Sequence, residues 1–164
     1  MEKGYVGWIG LVARLVTGTV WVVAGGLKLP DPAASVRAVR AYDLLPESAV
    51  TLVGHGLPVL ELLIGLLLLV GLLTRPAAIV SSLLLVAFIA GIVSAWARGL
   101  EIECGCFGGG GAKAGAAAAY PWEIARDLGL LLLSAWLVWR PRTRFALDSA
   151  LFPPTERFVD VEVR

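Results

Sequence analysis

Charge is scarce in this sequence. Asp, Glu, Lys and Arg make up 16% of its 164 residues, where soluble domains carry about a quarter. The two signs nearly cancel, to a net +1, so no basic face stands ready for a nucleic-acid partner. Histidine occurs once, at His55, and cysteine only at Cys104 and Cys106. Two cysteines exclude a disulfide framework, although their closeness allows one bond or one bound ion. Strict polar–apolar alternation is also missing from runs such as Leu62–Leu73, which excludes a membrane β-barrel.

What is abundant is apolar surface. Hydrophobic residues are 58% of the chain, with a mean hydropathy of +0.81. A soluble protein this small lacks the interior to hide so much of it. A bilayer does not, and a span needs about 20 mostly apolar residues. Four stretches qualify: 5–25, 49–73, 76–97 and 121–139. The expected fold is therefore all-α, an integral membrane four-helix bundle in one domain, 1–140. A polar cytoplasmic tail, 141–164, follows it. Loops are expected over 26–48 and 98–120, the second holding a Gly/Ala tract expected to be flexible.

Tyr5, Trp8 and Trp139 are expected at one membrane interface, and Trp21, Trp96, Tyr120 and Trp122 at the other. Lys3, Arg75, Arg140, Arg142, Arg144 and, farther out, Arg157 and Arg164 lie on the side of the termini, against Lys28, Arg37, Arg40, Arg98 and Lys113 on the other. By the positive-inside rule that side is cytoplasmic in a multi-pass cell-membrane protein. The cysteines are then extracytoplasmic, where a disulfide is chemically reasonable.

Ionisable residues inside spans are costly and call for partners. Arg14 and Glu61 both fall near mid-span on antiparallel helices, which predicts that they pair. Arg14, Thr17, Gly18, Trp21, Gly25 and Lys28 recur at helical spacing as an inward stripe, and so do Gly54, Pro58, Glu61 and Gly65. Either the pair only locks the bundle, or it serves a bound group. Pro121 suits the first turn of the last helix. Beyond it, Glu123 and Asp127 share a face with Leu130 and Ser134, and Arg126 stands within reach of either carboxylate. His55 is a candidate proton shuttle or a packed histidine.

Cys104-Gly105-Cys106 can close a small, strained ring, and strained disulfides tend to be labile or catalytic. The open alternatives are a soft-metal site and a structural or intermolecular disulfide. Two thiols without a nearby histidine make a poor zinc site, so no metal ligands are assigned.

Ordered segments resemble the methylamine utilisation protein MauE family, within the DoxX-like four-helix membrane proteins. They are Arg14-Leu15-Val16, Gly25-Gly26-Leu27-Lys28-Leu29, Asp31-Pro32 and Ala41-Tyr42-Asp43-Leu44-Leu45-Pro46. Leu57-Pro58, Glu61-Leu62, Gly65, Cys104-Gly105-Cys106-Phe107-Gly108 and Arg126-Asp127 complete the set. The resemblance implies a four-helix bundle that helps mature exported, disulfide-containing proteins, such as the small subunit of methylamine dehydrogenase. The architecture is also similar to membrane thiol oxidoreductases of the vitamin K epoxide reductase type. Those have two residues between their thiols and pass electrons to a quinone.

The expected function is thus a membrane thiol–disulfide oxidoreductase acting on a thioredoxin-like partner or an exported client. Cys104 and Cys106 would carry the exchange, with Arg126 and Asp127 in the catalytic group. A quinone is the candidate acceptor, held near Arg14, Trp21, Glu61 and His55. The other reading is a non-enzymatic assembly factor with structural cysteines. Further copies of the chain are a candidate partner, besides the bilayer.

Overall fold

The computed structural model describes residues 2–141 and 143–148. Among the described residues the α-helices are α1 (Glu2–Lys28), α2 (Pro32–Ala41), α3 (Glu47–Val70), α4 (Thr74–Ala97) and α5 (Tyr120–Trp139). The four long ones pack as an all-α bundle; the expected spans 5–25, 76–97 and 121–139 are helical throughout, whereas 49–73 overruns the end of α3, with Gly71 to Leu73 forming the turn into α4. Among the described residues, three helices are long and apolar enough to cross a membrane: Tyr5–Lys28, Glu47–Val70 and Thr74–Ala97. α5 has 20 residues, about 30 Å of helix, but carries Glu123, Arg126 and Asp127 in its first turns.

Both inward stripes are buried from end to end. Glycines on them set the register of α1 against α3. A Cβ on Gly65 would lie 2.7 Å from the Val22 amide nitrogen, and one on Gly25 would lie 2.7 Å from the Pro58 carbonyl oxygen. Small residues let the two backbones approach this closely. Between the helices, Trp21 Nε1 donates to Ser81 Oγ at 2.7 Å, and Ser81 meets Ser134 Oγ at 2.9 Å. This buried polar link ties α1, α4 and α5 together. Ala13, Ile64, Leu68, Ala78, Leu85 and Leu137 supply the apolar core around it.

Several local expectations are corrected. The segment 26–48 holds α2, whose first turn has Pro32 and an Asp31 cap accepting from Ala34 N at 3.0 Å. The Gly/Ala tract is ordered too. β2 (Gly111–Ala112) pairs antiparallel with β1 (Ile102–Glu103), and a 3₁₀ turn covers Ala116–Ala119. Trp21 and Tyr120 are buried inside the bundle rather than at an interface, because each has a polar atom satisfied there. The start of the expected tail folds back: Arg14 Nη1 donates to Thr143 Oγ1 and Nη2 to the Phe145 carbonyl, both at 3.1 Å. Asp148 accepts from the Leu73 and Thr74 amides at 2.7 and 2.8 Å, capping α4. Arg142 and 149–164 lie outside the described residues.

Candidate thiol site

The cysteine loop closes the end of the bundle formed by the end of α1, α2 and the start of α5. Tyr120 fixes where it begins. Its hydroxyl accepts from Ile102 N at 3.0 Å and bonds the Leu100 carbonyl at 2.8 Å. Tyr42 OH donates to the Cys104 carbonyl at 3.1 Å. Glu103 meets Lys113 Nζ at 2.5 Å across the hairpin, which holds its carboxyl below the usual range. The Arg126 guanidinium stacks 4.8 Å from the Phe107 ring. Gly105 has φ +68°, and a Cβ there would lie 2.6 Å from Ala38 Cβ. That position therefore needs glycine twice over: for the left-handed backbone and for seating the loop on α2.

Both thiols are free, Cys104 half-buried and Cys106 buried. The Cys106 amide points at Cys104 Sγ at 3.3 Å. The sulfurs differ in acidity. The hydrogen bond from Cys106, helped by that amide, holds the Cys104 thiol below the ordinary range, although burial and Glu123 oppose this. The same bond pushes Cys106 well above its ordinary range, as do burial, the Cys104 charge and Asp127. Arg126 pulls the other way. Cys104 is thus the more acidic of the pair, and the Cys106 thiol points at the Cys104 carbonyl at 3.9 Å. Tyr42 is kept protonated by burial first, and then by the two cysteines.

Three spaces meet at this loop. A polar cavity of about 320 Å³ lies on one face, lined by Cys104, Cys106, Glu103, Lys113, Glu123 and Arg126. An apolar groove of about 280 Å³ lies on the other, walled by α2, α3 and α4. Its lining includes Val39, Leu57, Leu84 and Phe88, with Lys28, Tyr42 and both cysteines. A void of about 20 Å³ lies inside the bundle, bounded by Cys106, Arg126, Asp127, Glu61 and Trp21.

Five of the predicted site residues therefore converge: Cys106, Arg126, Asp127, Glu61 and Trp21 line one void, with Cys104 beside it. Arg126 holds Asp127 Oδ1 through Nε at 2.9 Å and Nη2 at 2.8 Å. The predicted Arg14–Glu61 pair does not form. Glu61 Oε1 instead meets Lys28 Nζ at 2.5 Å. With Gly25 and Gly65 fixing the register, Arg14 falls level with the end of α3, and Lys28 is the cation within reach of Glu61. His55 is not in the site either. It is exposed, with Nδ1 2.8 Å from the Thr51 carbonyl. Arg14 and His55 thus stand apart from Glu61 and Trp21, which share the void. Sequence reasoning gave Lys28 no role in the site and missed Tyr42, whose ring reaches over the loop from the end of α2.

A helical membrane bundle with a free thiol pair across one end defines the class, a polytopic membrane protein with a dithiol site. The family model for methylamine utilisation protein MauE matches residues 6–140, and the chain belongs to that family. It is similar to a methylamine utilization protein MauE of Paracoccus denitrificans, 34% identical over 98 residues, or 59% of this chain and 53% of that protein. The match thus spans about half the length of that relative. No solved structure matches.

Proposed function

We propose that this chain is a membrane thiol–disulfide oxidoreductase. Its Cys104/Cys106 pair, on the extracytoplasmic side with both termini cytoplasmic, exchanges with a thioredoxin-like partner or an exported client. The observation that carries this reading is the pair of free, adjacent thiols at the wall of an open polar cavity. An attacking sulfur must be a thiolate, and its partner must resolve the mixed disulfide. The relative's name supports a place in methylamine utilisation.

The electron acceptor in this reading is a quinone in the apolar groove. Its ring would abut the sulfurs and Lys28, with its chain along Leu57 and Leu84. Over one cycle a client dithiol becomes a disulfide and the quinone becomes a hydroquinone. Two electrons and two protons cross.

Trapping tests the exchange. Cys106→Ser should accumulate a client joined to Cys104, and Cys104→Ser should accumulate none. A pair that stays oxidised with every donor, and whose loss has no effect, would overturn the reading. The burial of Cys106 favours one alternative, a non-enzymatic assembly factor with structural cysteines, and that result would support it.

A further inference from the structure

The void beside Cys106 is bounded by the Arg126–Asp127 pair and by Glu61, whose own cation lies behind it. Lys28 from α1 neutralises Glu61 from α3, and Arg126 neutralises its neighbour Asp127 on α5. α4 contributes Leu85 and Phe88 to this lining and no titratable group. Each carboxylate spends one oxygen on its cation. The other, Glu61 Oε2 or Asp127 Oδ2, is buried without a hydrogen-bond partner. Buried polar atoms are rarely left so, and their usual partner is water. About 20 Å³ suffices for one water and for little else. A metal ion would add charge to a set that is already neutral.

Glu61 has a second property. Its partner Lys28 also lines the apolar groove, with Nζ 5.8 Å from the Phe88 ring centre. The ion pair therefore spans the partition between the void and the groove. Cys106 touches both spaces.

We propose that Glu61 and Lys28 form a proton relay that carries the Cys106 proton, through one water in the void, to the acceptor in the groove. Asp127 positions that water. The inference rests on the oxidoreductase reading with its quinone acceptor. When the pair is oxidised, the Cys106 S–H bond breaks and the Cys104–Cys106 S–S bond forms. Two electrons pass to the quinone, which takes up two protons to become a hydroquinone. One is the Cys106 proton: it passes to water, then to Glu61, while Lys28 gives one to the quinone oxygen and is reprotonated by Glu61. The other comes from solvent, replacing the proton Cys104 lost on becoming a thiolate. The pair ends as it began, one cation beside one anion, because Glu61 takes up one proton for each that Lys28 gives.

The test follows reoxidation of the reduced full-length protein in lipid nanodiscs by a short-chain ubiquinone. Glu61→Gln and the charge-neutral pair Lys28→Met with Glu61→Gln are compared with wild type. The double variant removes both charges together, so it remains folded where the single variant fails. About a hundredfold slower reoxidation is expected, the usual scale for losing general acid–base help. It should be accompanied by a changed pH profile. A folded double variant with the wild-type rate and pH profile would overturn the relay. So would a slowed variant with an unchanged pH profile, since that is positioning alone. Wild type that ubiquinone fails to reoxidise would instead overturn the acceptor reading beneath the relay.

Discussion

Lys28 Nζ and Glu61 Oε1 lie 2.5 Å apart, with 4% and 0% of their side chains exposed. Neither charge has solvent to fall back on. Replacing Glu61 by Gln leaves a buried ammonium alone, and breaking a buried pair in this way costs about 3–5 kcal/mol. The double variant Lys28→Met, Glu61→Gln should recover most of that loss. Unfolding in detergent, read as a double-mutant cycle, checks it. A single variant as stable as the parent would show that the pair contributes nothing.

The contact between α1 and α3 makes a paired prediction about glycine. Gly65→Ala puts a Cβ against the α1 backbone and should cost about 1–3 kcal/mol, as overpacking does. Gly26→Ala meets nothing within 4 Å and should be neutral or stabilising by up to about 1 kcal/mol. Melting temperatures of the two variants would separate in that order. Equal shifts would contradict the close approach.

Thiol acidity gives the pH prediction. A lowered Cys104 pKa means that its thiolate is present on the acid side of the ordinary thiol value, about 8.5. Cys106 is shifted the other way and stays protonated through that range. Iodoacetamide on the reduced protein at pH 7 should therefore modify Cys104 and spare Cys106, as peptide mass mapping would read. As pH falls, Cys104 labelling should persist below the pH where a free thiol stops reacting. Equal labelling of the two would exclude the asymmetry.

Asp148 accepts two amides at the start of α4. Asp148→Ala should cost about 0.5–2 kcal/mol, the range for losing a helix cap. Cys104 labelling should be unchanged, since Asp148 sits at the opposite end of the bundle. Chemical unfolding and the labelling rate measure the two effects separately.

The long helices were legible because hydrophobic runs of span length admit few alternatives, and their inward stripes because 3.6-residue spacing marks a face. The Cys106–Arg126–Asp127 grouping was legible from position along the chain. Helix pairing was not, because it depends on register. Gly18 and Gly25 are spaced like Pro58 and Gly65, and matching those close-packed positions in antiparallel fashion brings Lys28, not Arg14, towards Glu61. Counting residues from the presumed membrane edge missed this. The Asp31-Pro32 start signal for α2 was present but short. The order in the Gly/Ala tract comes from distant groups such as Glu103 and Tyr120, which local composition does not reveal.

The cysteine loop is thin, and it has a polar chamber on one face and an apolar one on the other. Both chambers have the two sulfurs in their walls, so a visitor on either side meets the same pair. Steady-state rates would then obey a double-displacement law, with parallel reciprocal plots, and the loop would hold electrons from one visitor until the next arrived.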